Sequence, residues 1–192
     1  MAGVDFGQTD LFGAVPVRCE YYPVLLPDEA GLTEIADIYR LLTDLGVKPS
    51  QLTKLSHVSI DGVVCPENDE RVTMAIRNFL STQQPLLIEF SELGYFPGRG
   101  GLTLKLGIAN SEAIKDFNKE FMTAIGGKVT KLPDLHLTLA RYVSSEIWDK
   151  MKDTEINLRH CLCSSVAIYK KEYKAKGAYQ VSGKVNFGET NF

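Results

Sequence analysis

Two four-residue runs in this chain follow one pattern. His57-Val58-Ser59-Ile60 and His136-Leu137-Thr138-Leu139 each read histidine, aliphatic, hydroxyl, aliphatic. Successive side chains of a strand point to opposite faces, so each run is an extended segment with one apolar face and one face bearing an imidazole and a hydroxyl. The apolar face anchors the strand and the polar face is presented. Two such strands side by side would aim two imidazoles and two hydroxyls into one groove. The chain holds only three histidines, and on average composition two matches by accident are on the order of one in a thousand.

Each run sits in a similar series of strand, helix, strand and helix. Val17 to Leu26 reads as a strand and stops at Pro27. Leu32, Ile35, Tyr39 and Leu42 form a helical stripe closed by Gly46. Lys54 to Val64 reads as the strand carrying His57, and Pro66 opens a second helix through Val72, Ala75, Ile76, Phe79 and Leu80. Leu86 to Leu93 and Leu102 to Ile108 are strands on either side of a glycine turn at Gly98, Gly100 and Gly101. Ser111 caps a helix with the stripe Ile114, Phe117, Phe121 and Ile125, ended by Gly126-Gly127. Leu135 to Tyr142 carries His136, a short helix capped by Ser144 or Ser145 runs through Trp148 and Met151, and strands over Leu158 to Lys171 and Ala178 to Phe187 finish the chain. The order β-α-β-α-β-β-α-β-α-β-β predicts an α+β fold, duplicated and two-lobed, over residues 17–192. The glycine-bearing residues 1–16 are expected to be loose.

Composition narrows the function classes. At 192 residues and 44% apolar content, one compact unit is the default. A net charge of −3 excludes a broadly basic surface that coats nucleic acid, so a nucleic acid partner must be short or held locally. No apolar run is long enough to span a membrane and no secretory pattern opens the chain, which predicts a cytoplasmic protein without a membrane partner. Cys19, Cys65, Cys161 and Cys163 are irregularly spaced and read as reduced structural thiols.

Imidazole titrates nearest neutral pH. One neutral histidine can therefore take a proton from an attacking oxygen while a second, charged one protonates a leaving oxygen. The hydroxyls of Ser59 and Thr138 can donate to non-bridging phosphate oxygens as charge builds on them. No metal or other cofactor is required. His160, Cys161 and Cys163 suggest zinc at first sight, but no second Cys/His pair lies at ligand spacing.

These two motifs, with Arg141 following the second in His136-Leu137-Thr138-Leu139-Ala140-Arg141, resemble the two-histidine phosphoesterase superfamily. The resemblance implies a bilobal fold with two antiparallel sheets flanking a central groove and helices outside. It also implies a metal-independent phosphodiesterase with His57, Ser59, His136 and Thr138 as catalytic groups. The substrate class it implies is a nucleotide or short oligonucleotide: 2′,5′-linked oligoadenylate, a cyclic oligonucleotide or a 2′,3′-cyclic phosphate. Duplex DNA is not expected, and the oligomeric state stays open. A branch of the same superfamily that binds nucleotide without turnover is the alternative from another class.

Other residues have two readings each. Arg141 lies three residues beyond Thr138, so it points away from the histidines unless the strand ends or bulges there. Tyr21, Tyr22, Tyr95 and Phe96 either stack on a base or pack in the protein. The stretch Gly98-Arg99-Gly100-Gly101 reads as a hairpin turn and not a phosphate loop. Lys170, Lys171, Lys174 and Lys176 are either a solvated loop or a receiver for a polyanion.

Overall fold

A computed structural model describes residues 16–189 apart from 131, 133, 155 and 157. Of the expected loose segment, all but Pro16 lies outside the described residues. The elements are β1 (Arg18–Pro27), α1 (Glu29–Asp44), a single 3-10 turn (Pro49–Gln51), β2 (Val58–Ser59), β3 (Val63–Pro66), α2 (Asp69–Leu80), β4 (Leu86–Gly98), β5 (Gly101–Ile108), α3 (Ser111–Ile125), β6 (His136–Val143), α4 (Ser145–Met151), β7 (His160–Glu172) and β8 (Gln180–Asn186). No described helix is long and apolar enough to cross a membrane.

All strand pairings are antiparallel, in the order β3-β1-β2-β6-β5-β4-β7-β8 with a further β1–β7 pairing. Six strands therefore close a hydrogen-bonded circuit, β1-β2-β6-β5-β4-β7 and back to β1, while β3 and β8 flank it. The strands thus join in one continuous hydrogen-bonded sheet, where the sequence reading expects two. The lateral groups of β1 are engaged on both sides by strands distant in sequence, which no local periodicity reveals.

The helices follow their apolar stripes, except that Leu32 of the expected α1 stripe is exposed and Ile38 is buried in addition. Ile35, Ile38 and Leu42 of α1, Val72, Ile76 and Leu80 of α2, and Ile114, Phe117, Phe121 and Ile125 of α3 are all buried in one core. Val58 of β2 and Leu137 of β6 belong to that core and are fully buried. At about 1.5–3 kcal/mol for each buried aliphatic side chain, they pin the two histidine-bearing segments from beneath. Val58 matters most, because β2 has only two residues.

The predicted strand over Lys54 to Val64 is broken. Ser59 stands opposite Val24 while Val63 stands opposite Tyr21, so four steps on this segment match three on β1 and one residue bulges out. Gly62 passes so close to β1 that a Cβ there would lie 2.6 Å from the Tyr21 carbonyl oxygen. Pro66 ends β3 and does not open α2, whose N-cap is Asn68, accepting from the Arg71 N–H. Asn110, not Ser111, precedes α3; its amide bonds Glu89 N–H and the Leu87 carbonyl and so ties the helix start to β4. Ser144 caps α4 as expected. The turn after β4 is a hairpin. Gly101 has φ of 127° and its Cβ position is 2.8 Å from the Tyr142 backbone, so only glycine admits this approach.

Candidate active site

The geometry of the two motifs follows from one register pair. Val58 stands opposite Leu137 across the antiparallel β2–β6 pairing. Stepping one residue either way puts His57 opposite Thr138 and Ser59 opposite His136. Residues opposite each other in an antiparallel pair share a face, so all four lie on the face away from Val58 and Leu137. Directly opposite Cβ atoms are about 4.5–5.5 Å apart and diagonal ones about 7–8 Å. The two imidazoles occupy a diagonal, spaced for a phosphate between them. His57, Ser59 and His136 are partly exposed, while Thr138 is buried.

Both rings are held in the same way. His57 Nδ1 lies 2.8 Å from the Leu55 carbonyl oxygen, and His136 Nδ1 lies 2.7 Å from that of Asp134. A carbonyl can only accept, so Nδ1 carries the hydrogen in each ring and Nε2 is left as the atom that gains or loses a proton. Burial holds His57 below the ordinary imidazole value. The Leu55 carbonyl works against this by favouring the charged ring, while the positive charges of Arg141 and His136 depress it further.

That interaction shows where Arg141 lies. Thr138 stands opposite Lys105, yet Ala140 stands opposite Leu104, so β6 takes two steps where β5 takes one. The bulge reverses the alternation and returns Arg141 to the histidine face. Tyr142, next along, has φ of 60°; its carbonyl accepts from Gln51 Nε2.

Tyr21 and Tyr95 are not brought to the site. Tyr21 is fully buried; its hydroxyl donates to Asp69 Oδ1 at 2.8 Å and accepts from Asn68 N–H at 2.9 Å. Of the two readings open for Tyr21, packing in the protein is the one its burial fits. Tyr95 stands opposite the fully buried Leu104, on the reverse face, and packs edge-on against Trp148 at 4.9 Å. Phe96, on the histidine face, meets the His136 ring at 4.8 Å. Tyr22 shares the face of Val24 and Ser59 and lies 5.8 Å from the Tyr179 ring.

His160 is exposed at the start of β7, opposite Glu89. Among the described residues no group of three or more His, Cys, Asp or Glu side chains is gathered to hold a metal. The four cysteines are buried free thiols. Of the lysine cluster, Lys170 bridges Glu67 and Asp69 at 2.9 and 2.8 Å, and Lys171 faces Glu20 at 3.9 Å and the Tyr179 ring at 4.5 Å.

Three residues near the motifs were missed by sequence reasoning. Lys105 stands opposite Thr138 and binds the Asp134 carboxylate. Asp61, two residues past Ser59, is buried and accepts from Asn118 Nδ2 and Thr130 N–H, each at 2.8 Å, and from the Thr130 hydroxyl; Asn118 Oδ1 accepts from the Asp61 N–H at 2.9 Å. The only sequence signal for Asp61 was its place beside a motif, since its partners are 57 and 69 residues away.

A sequence model of the 2′-5′ RNA ligase superfamily matches residues 32–173. No curated protein matches the chain in sequence. Among solved structures, E. coli LigT complexed with NADP+ aligns with a TM-score of 0.57 and 9% identity, over 91% of this chain and 100% of that one. E. coli LigT complexed with ATP aligns at 0.53 and 9%, over 91% and 99%. A structure described as a phosphoesterase aligns at 0.52 and 12%, over 90% and 99%. At these identities the likeness is one of fold.

Proposed function

Because the chain belongs to the 2′-5′ RNA ligase superfamily, the two-histidine phosphoesterases, we propose that it is a metal-independent phosphodiesterase acting on 2′,5′-linked or 2′,3′-cyclic ribonucleotides. The observation that carries this reading is the register of Val58 opposite Leu137, with both Nδ1 atoms bound to backbone carbonyls. Two switchable Nε2 atoms and two hydroxyls then share one face. Nucleotide complexes of LigT support a ribose-linked phosphate as the ligand.

On a 2′,5′ bond, His57 acts as base. Its lowered proton affinity keeps it neutral, so Nε2 can take the proton of the adjacent 3′-hydroxyl as that oxygen attacks phosphorus. His136, as the acid, gives its Nε2 proton to the departing 5′-oxygen. The P–O5′ bond breaks, the new P–O3′ bond leaves a 2′,3′-cyclic phosphate, and each ring ends in the other's starting state. Water attacking the cyclic phosphate would use the same pair with roles exchanged. Ser59 and Thr138 donate to the non-bridging oxygens, and Arg141 offsets their charge.

Incubation of 2′,5′- and 3′,5′-linked oligoadenylates in excess EDTA, with products resolved by chromatography, tests the proposal. Shortening of the 2′,5′ chain to 2′,3′-cyclic or opened monophosphate ends is expected. Nucleotide binding without any such product would move the site to the non-catalytic branch.

A further inference from the structure

Four groups close a loop around His136. Its Nδ1–H donates to the Asp134 carbonyl at 2.7 Å. The Asp134 carboxylate accepts from Lys105 Nζ through both oxygens, at 2.8 and 2.7 Å. The Lys105 ammonium lies 3.9 Å from the centroid of the Phe96 ring. That ring meets the His136 imidazole at 4.8 Å and 72°. Asp134 thus orients the imidazole with its main chain while its side chain anchors the bend on which that main chain sits.

The strands explain why lysine can do this. Lys105 stands opposite Thr138 on one side and Gly94 on the other. A Cβ at Gly94 would lie 3.6 Å from Lys105 Cε, so the lysine stem passes across the glycine. Its side chain is only 16% exposed and that of Asp134 46%, so the lysine end of the pair is shielded while the carboxylate end still meets solvent. His57 has a different support. Its carbonyl partner belongs to Leu55, which offers no charged side chain.

We propose that Lys105 and Asp134 are positioning residues for His136: their ion pair fixes the bend whose carbonyl holds the ring as the Nδ1–H form, with Nε2 turned to substrate. Lys105 acts through His136 and not on the reacting atoms. The catalytic consequence rests on the phosphodiesterase reading above; the state of the ring does not, and can be read without substrate.

The experiment compares wild type, Lys105→Met, Lys105→Arg and Asp134→Asn by long-range 1H–15N NMR of the imidazoles at pH 8, beside kcat and KM on a 2′,5′-linked diadenylate. In wild type, His136 gives a single Nδ1–H tautomer. In Lys105→Met it becomes a mixture while His57 is unchanged, and kcat falls by about tenfold or more with KM within about twofold, as expected for a misplaced catalytic group. Lys105→Arg restores the tautomer and most of kcat. Asp134→Asn, which keeps the carbonyl and the shape, gives the same His136 mixture and serves if the methionine variant does not fold. A single unchanged His136 tautomer in Lys105→Met or Asp134→Asn overturns the proposal, whatever the turnover. A tautomer mixture in a protein that cleaves nothing leaves the positioning role standing and removes the phosphodiesterase reading instead.

Discussion

Two histidines with the same local sequence are not chemically equivalent once folded. His57 is desolvated and lies within the field of Arg141 and His136, whereas His136 is framed by Phe96 and the Lys105–Asp134 pair. As a base, His57 must be neutral to work, and a lowered pKa keeps it neutral to lower pH. The acid limb of the kcat/KM profile should therefore fall below the ordinary imidazole value of about 6.5. Replacing Arg141 by Gln removes one of the depressing charges and should move that limb to higher pH, without reaching the ordinary value because burial remains. A pH–rate series on both proteins checks this; a limb that stays put or moves down would contradict the assignment of His57 as base. At this scale the pairing of each histidine with its hydroxyl on one face was legible in sequence, because alternation along a strand is local. The tyrosines were not. Tyr21 and Tyr22 are adjacent, and only the register with β2 says which one shares the face of Ser59.

At the scale of elements, small irregularities decide what faces the site. One extra residue in β6 turns Arg141 back to the histidines, and one extra residue between β2 and β3 breaks the strand that sequence alone extends through Lys54 to Val64. Both are bulges, and a bulge is defined by the partner strand, so neither carries a signal in the chain that contains it. The second one frees Asp61 to clasp Asn118 of α3 and Thr130 in the segment leading to β6. This buried carboxylate ties the first motif to the approach of the second. Asp61→Ala strands three donors and should lower stability by about 2–4 kcal/mol, the cost of several unpaired buried polar groups softened by water entry. Urea denaturation measures it, and a loss under half a kilocalorie would mean the clasp carries no structural weight. Helices, by contrast, were legible in number and in most of their buried faces, since stripes of Ile, Leu and Phe are set by a local period, although the starts of α2 and α3 were not.

At the scale of the whole molecule, the circuit of six strands makes the site. β2 is two residues long and would not hold a ring in place alone; it is flanked by β1 and β6, and β1 is in turn paired along its length with β7. The α+β class and the element order were readable because strands and helices alternate with clear punctuation. The closure through β1–β7 was not, because it joins residues about 150 positions apart, as in Cys19 with Glu172. The acidic balance of the chain suits a short ligand held by a few local charges. The central claim is that the two imidazoles act as one acid–base pair. The most direct test is kcat/KM for a 2′,5′-linked oligoadenylate in excess EDTA with wild type, His57→Ala, His136→Ala and the double variant. Groups that act as a unit lose their effect together, so each single variant should fall by about a thousandfold or more and the double variant should be scarcely worse than either. A single variant within about tenfold of wild type, or losses that multiply in the double variant, would contradict the account.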